Sequence, residues 1–230
     1  MEQSVDKSVR VSLIDKRDAR ALLDPEVLSH VEKVIPQEYI QNDEAHGIPH
    51  AKYVIRRAMR FGALSGIDPQ HCFIAAAYHD AMHHIDRKRH EWLSAEFFMN
   101  DEFMKKHLTP EERIMIKEAI EDHRSSLEGA PRSILGRILS SADRTTDTNV
   151  AIARTDKYMQ RHFPDESLDQ RIERSFNYIM EKYGPQGYAR TYFDDPEFTQ
   201  MKENLCNILK DKNYYKKVFL MASGYTTTTD

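Results

Sequence analysis

Two cysteines, Cys72 and Cys206, are all the thiol chemistry in this chain. They lie far apart and no CxxC occurs, so no disulfide framework is expected and a reducing, cytoplasmic compartment is the default. Glycine and proline are also scarce, at 8 and 9 among 230 residues. No polar–apolar alternation persists over several strands, which argues against a β-rich fold and for an all-α one. No apolar run approaches the roughly 18 residues of a membrane-spanning helix, so no membrane partner is expected. Residues 1–20 carry charges at every second or third position in place of the apolar stretch of a signal peptide, and are expected to be loosely packed. Neither sign of charge dominates: 33 basic against 37 acidic side chains leaves a net charge of −4. Nothing global therefore recommends a nucleic-acid partner. The local basic clusters Arg56-Arg57, Arg87-Lys88-Arg89-His90 and Lys216-Lys217 read as solvated surface.

Helix start signals and eleven histidines are what the chain does have. Asp24-Pro25-Glu26 opens a helix whose apolar stripe is Val27, Leu28, Val31, Val34 and Ile35, with Pro36 expected to interrupt it. Residues 41–49 read as a loop. A helix from Pro49 or His50 follows, and Val54, Ala58 and Phe61 at helical spacing place His50 on its inward stripe. Asp68-Pro69 opens the next helix, which ends in Ala75-Ala76-Ala77-Tyr78-His79-Asp80. A helix over about 90–107 is expected next, with Trp92 in the core. Thr109-Pro110-Glu111-Glu112 then opens a helix that carries His123 inward at its end. In the helix after Ser133, Asp143 sits one turn beyond Leu139 and faces the core. Helices continue over about 150–162, 167–183 and 195–210, and 226–230 is a polar tail. No linker demands a second domain: the reading is one domain, with a core over about 24–160 and helical additions to about 222.

His50, His79, Asp80 and Asp143 thus stand on inward positions of three helices. Imidazole suits borderline transition metals and carboxylate is a hard anionic donor. An inward Asp also needs a partner, because burying an unpaired carboxylate is costly. Arg144 beside Asp143 is one candidate, and a cation shared by all four side chains is the other.

The ordered set His50, His79-Asp80, Asp143 resembles the HD superfamily of metal-dependent phosphohydrolases. The local wording is similar as well, in His46-Gly47-Ile48-Pro49-His50, Ala77-Tyr78-His79-Asp80 and Ser141-Ala142-Asp143-Arg144. The resemblance implies an all-α HD-domain bundle with additional C-terminal helices. It implies that His50, His79, Asp80 and Asp143 hold a divalent ion (Mn, Mg, Fe, Co or Ni). It also implies hydrolysis of a small phosphorylated substrate, nucleotides included, by metal-activated water. Asp80 would position that water or take its proton, and Arg144 would neutralise phosphate charge. A homodimer is left open.

One departure matters. A branch of the family that hydrolyses nucleoside monophosphates has a Glu three residues after the motif Asp, and this chain has His83 there. His83 is then a candidate acid or an extra ligand, or else a surface histidine. His46 either orients the site or binds phosphate, or is a plain loop residue. Two-metal members place further histidines between the HD pair and the last Asp, and His123 is the better candidate here, ahead of His90. The loop Arg87-Lys88-Arg89 reads as solvated, and Tyr183, Tyr188 and Tyr192 with Arg190 read as core before pocket cap. Two rivals keep the fold and change the function: a di-iron oxygenase, and a non-catalytic module that binds a ligand.

Overall fold

The computed structural model describes residues 11–225. Among them are twelve α-helices, one 3-10 turn and no strand, so the all-α expectation holds. The chain divides into two compact units after Asp143.

The first unit contains α1 (Arg17–Arg20), α2 (Pro25–Tyr39), the 3-10 turn Glu44–His46, α3 (Ile48–Ser65), α4 (Pro69–Tyr78), α5 (His90–Asn100), α6 (Glu102–His107), α7 (Pro110–Glu121) and α8 (Ile134–Ala142). The start signals work as read. Asp24 and Asp68 accept backbone N–H groups of the first turns of α2 and α4, and Thr109 with Glu112 closes a reciprocal capping box on α7. Ser133 caps α8 through the N–H of Gly136. α3 packs against α4 and α8, and α7 packs against α5, α4 and α8. Gly62 on α3 faces Cys72 on α4 so closely that a Cβ on Gly62 would overlap the sulfur. That contact brings the His50 helix down onto the helix that ends at His79. Val54, Phe61, Phe73, Ala76, Ala77, Ile116, Ile120, Ile138 and Leu139 are fully buried between these helices.

Four local expectations give way to tertiary contacts. Residues 11–20 are anchored: Leu13 and Ile14 are buried, the Leu13 N–H donates to Glu32 at 3.0 Å, and Arg20 pairs with the same carboxylate. Residues 1–10 and the tail at 226–230 lie outside the described residues. α2 runs through Pro36 to Tyr39, because its buried stripe of Val31, Ile35 and Tyr39 outweighs the single backbone bond that proline removes near the helix end. The helix expected over 90–107 breaks at Asp101. That carboxylate accepts the N–H groups of Phe103 and Met104, the Tyr78 hydroxyl at 2.6 Å, and lies 2.7 Å from His30 Nε2. Trp92 is 45% exposed, not core, with the Arg89 guanidinium stacked over its ring.

The second unit contains α9 (Thr148–His162), α10 (Leu168–Tyr183), α11 (Pro196–Ile208) and α12 (Lys212–Ala222). It has its own core of Ile152, Ile179, Leu205, Tyr215 and Phe219. The Ser175 hydroxyl is partnered by Thr155 and by the Tyr215 hydroxyl, so its burial leaves no polar atom unsatisfied. Tyr183 belongs to this core, while Tyr188 is at the surface. No helix among the described residues is long and apolar enough to cross a membrane.

Candidate metal centre

In the first unit every candidate donor sits at a helix end. His50 is in the first turn of α3, His79 and Asp80 directly follow α4, and His90 is the first residue of α5. His123 follows α7 by two residues, and Asp143 is the residue after α8. Helix C-termini carry carbonyl groups with no partner inside the helix. His79 and His123 use them: each ring Nδ1 meets the carbonyl three residues back, Ala76 at 2.8 Å and Ile120 at 2.6 Å. His90 makes the same bond to Arg87 in the preceding turn, at 2.8 Å. A carbonyl only accepts, so Nδ1 carries the proton in all three rings and Nε2 presents its lone pair.

Those Nε2 atoms point at one carboxylate. His50 and His79 Nε2 are 3.2 Å apart, and each lies 3.4 Å from Asp80 Oδ2. Asp143 Oδ1 is 3.2 Å from His50 Nε2 and 3.9 Å from His79 Nε2. On the other side, His90 and His123 Nε2 are 3.2 Å apart, and they lie 3.1 and 3.5 Å from Asp80 Oδ1. Asp80 therefore turns one oxygen to each histidine pair.

The charge balance is extreme. Burial alone would favour a neutral Asp80, yet His79, His123 and His50 around it hold its pKa well below the carboxylate range. Burial likewise opposes charge on His79, but Asp80 and Asp143 override it and lift the imidazolium to about 9. Asp80 also raises His90 against its burial, while burial lowers His123. Some positive charge is needed between these atoms.

A divalent cation fits that demand. Two nitrogens each about 2.1 Å from one ion, at 90–110°, stand roughly 3.0–3.4 Å apart, and both 3.2 Å pairs fall in that range. Because His90 and His123 both commit Nδ1–H to carbonyls, their facing Nε2 lone pairs are reconciled only by a proton or a cation. Asp80 Oδ1 is buried without a hydrogen-bond partner, as is Nδ1 of His50. An orphaned buried acceptor beside two imidazoles is what a cation would satisfy. Two donor sets result: His50, His79, Asp80 and Asp143, and then Asp80, His90 and His123.

Other side chains hold these helix ends in place. Arg57, buried two turns along α3 from His50, gives Nε–H to the Ala142 carbonyl and Nη2–H to that of Ser141, both at 3.2 Å. It thereby ties the His50 helix to the end of α8 that delivers Asp143. The Tyr39 hydroxyl accepts the Asp80 N–H at 3.2 Å. Asn42 gives Nδ2–H to the carbonyls of His46 and Asp80 and accepts the His84 N–H. Arg132 clasps Asp122, next to His123, through its backbone and its guanidinium.

The four expected ligands thus converge, and so does His123. His90, ranked second from the sequence, is a full member of the cluster. The available signal was its place in the first turn of a helix, as with His50. His83 is buried beside the cluster, whereas Arg87, Lys88, Arg89 and His107 face solvent. Arg144 is buried in the second unit, next in sequence to Asp143.

The family model of the HD domain matches residues 47–147 of this chain. A solved structure described as a predicted HD superfamily hydrolase from an uncultured Thermotogales bacterium is 24% identical, with a TM-score of 0.48, over 71% of this chain and 92% of that one. No curated protein sequence matches significantly.

Proposed function

We propose that the HD domain is a metal-dependent phosphohydrolase that holds two divalent cations through the shared Asp80 carboxylate and acts on a small phosphorylated molecule, nucleotides included. The observation that carries this reading is the split of Asp80, with Oδ2 toward His50 and His79 and Oδ1 toward His90 and His123. His50, His79, Asp80 and Asp143 would hold one cation, and Asp80, His90 and His123 the other. The imidazole-rich sets favour Mn²⁺, Fe²⁺, Co²⁺ or Ni²⁺ over Mg²⁺. Bound there, such ions supply Lewis acidity toward water and a phosphoryl oxygen.

The chain's own groups divide the remaining work. The side chain of Asp143 is 20% exposed, against 4% for Asp80 and 0–3% for His79 and His50. Substrate and water therefore reach the centre from the Asp143 side. With both Asp80 oxygens committed, Asp143 is the carboxylate placed to hold the proton of attacking water. Burial, reinforced by the neighbouring His46, pushes the His83 pKa down to about 3, so His83 is not the charged acid of the reaction.

The His90–His123 pair also supports a second reading, a di-iron oxygenase. One experiment separates the two. Protein loaded with Mn²⁺ or Fe²⁺ is counted for metal, then assayed on phosphomonoesters, phosphodiesters and nucleotides, with oxygen uptake recorded in parallel. Hydrolysis with two ions bound is the expected result. Oxygen consumption by the iron form without hydrolysis would replace this reading with the oxygenase. Two bound ions with neither activity would replace it with a non-catalytic ligand-binding module.

A further inference from the structure

The proton on His90 Nδ1 faces two acceptors. One is the Arg87 carbonyl at 2.8 Å, and the other is Glu91 Oε2 at 3.3 Å. The ring has a single Nδ1–H to offer them, because its Nε2 points at Asp80. Glu91 Oε2 is itself buried and accepts no hydrogen bond. A buried carboxylate oxygen without a bond is costly, and the cost falls when positive charge develops beside it. The group beside it here is the imidazole that faces the second donor set. The first set has no such support: His79 Nδ1 meets the Ala76 carbonyl and the Tyr39 hydroxyl, and His50 Nδ1 meets nothing.

The other oxygen of Glu91 explains why the carboxylate stays there. Oε1 accepts Arg124 Nη1–H at 3.0 Å, and the same nitrogen reaches the Lys88 carbonyl at 2.9 Å. Arg124 therefore holds both acceptors of His90 Nδ1–H, Glu91 directly and the Arg87 carbonyl through the neighbouring peptide. Asp86 fixes that turn further: its carboxylate accepts the Lys88 N–H at 2.8 Å and its carbonyl the Arg89 N–H at 3.1 Å. Glu91 follows His90 in sequence, and Arg124 follows His123. The pair thus ties the start of α5 to the turn after α7 at the residues next to the two facing imidazoles, whose Nε2 atoms stand 3.2 Å apart.

Resting on the two-cation reading above, we infer that Glu91 and Arg124 are positioning residues for the second cation: Glu91 strengthens the lone pair that His90 offers, and Arg124 holds that carboxylate and the Arg87–Lys88 turn in register with His123. Neither side chain touches the ion. A carboxylate behind a ligating imidazole orients the ring and raises its basicity, and losing it costs about 10- to 100-fold in metal affinity. The side chains of Glu91 and Arg124 are 22% and 35% exposed, and an ion pair so close to solvent adds little to folding stability. Its effect is therefore confined to the ion.

Mn²⁺ binding tests this without any activity measurement. The full chain is stripped with chelator and titrated with Mn²⁺ by calorimetry. Bound metal is counted after dialysis, and melting in chelator checks folding. The wild type is compared with Glu91→Gln, which keeps the shape and the Arg124 contact but loses the charge, and with Arg124→Gln and Arg124→Lys. The expected result is that Glu91→Gln binds one Mn²⁺ as the wild type does and the other about 10- to 100-fold more weakly. Arg124→Gln should show the same selective loss, and Arg124→Lys a smaller one. His90→Gln identifies the ion: it should remove the weakened Mn²⁺, so that adding Glu91→Gln changes nothing further. If Arg124→Gln melts early in chelator, Glu91→Gln and Arg124→Lys decide. Two Mn²⁺ bound with wild-type affinity in Glu91→Gln would overturn the inference and leave the two-cation reading standing. Equal weakening of both ions, or a further loss when Glu91→Gln is added to His90→Gln, would also overturn it, since a general structural role would produce either. A wild type that holds a single Mn²⁺ would refute the two-cation reading and this inference with it.

Discussion

Replacing Asp80 by Asn keeps the volume of the side chain and removes the charge that two donor sets share. For a ligand that binds only the folded chain, stabilisation is RT ln(1 + [L]/Kd), about 2.7 kcal/mol at a hundred-fold excess over Kd. In a chain of this length 1 kcal/mol moves the melting temperature by roughly 2–4 °C. One Mn²⁺ in the wild type should therefore raise the melting temperature by roughly 5–11 °C over the chelated protein. In Asp80→Asn that rise should largely disappear. In chelator the two proteins should melt within a few degrees of each other. The variant loses the attraction of His79 and His50 for the carboxylate, but it also escapes the cost of burying a charged group that is only 2% exposed. Asp143→Asn is the internal contrast, because it touches only the His50–His79 side, and one ion should stay with Asp80, His90 and His123. The assay is paired thermal melts in chelator and in Mn²⁺, with metal counted by elemental analysis. An unchanged Mn²⁺-dependent rise in Asp80→Asn, or identical counts in the two variants, would refute the bridging role of this carboxylate.

Three further outcomes are expected. Arg57→Lys keeps the charge but not the fork that reaches the Ser141 and Ala142 carbonyls, so Mn²⁺ affinity at the Asp143 side should fall about 10- to 100-fold by calorimetry; unchanged affinity would remove Arg57 from the support of the site. Gly62→Ala pushes a methyl group into the Cys72 sulfur and should cost about 1–3 kcal/mol in urea unfolding, by separating α3 from α4. Asp101, lowered to about 2 because its bonds to His30, Tyr78 and the α6 N-terminus outweigh its burial, contributes stability that is present above pH 3.8 and lost as pH falls toward 2. Asp101→Asn should accordingly cost about 2 kcal/mol at pH 7 and almost nothing at pH 2; a pH-independent difference would contradict that account.

The parts of this fold written in local chemistry were readable. Asp24-Pro25, Asp68-Pro69 and Thr109-Pro110-Glu111-Glu112 are complete instructions for a helix start, and each is used where it stands. The inward stripe that carries His50 was readable for the same reason. Asp101 was not, because its flanks read as helix and the break is enforced by His30 and Tyr78, 71 and 23 residues away in sequence. Trp92 was misplaced because helical spacing says which residues share a face, not whether another helix covers that face. The pairing of His90 with His123 was out of reach for a related reason: 33 residues separate them, and only the packing of α5 on α7 brings their rings together.

The Nδ1 bonds of His79, His90 and His123 carry a consequence for how this centre tolerates change. Each acceptor is a main-chain oxygen three residues back, so the side chains at Ala76, Arg87 and Ile120 are irrelevant to ring orientation. Spacing along the chain is what counts. Inserting one residue between Ala76 and His79 would rotate the ring by about 100° around the helix axis and aim its lone pair away from Asp80. Substitutions at those three positions act on packing, as at the fully buried Ala76 and Ile120, and not on ring orientation, while a single-codon insertion or deletion at any of these helix ends would disassemble the centre.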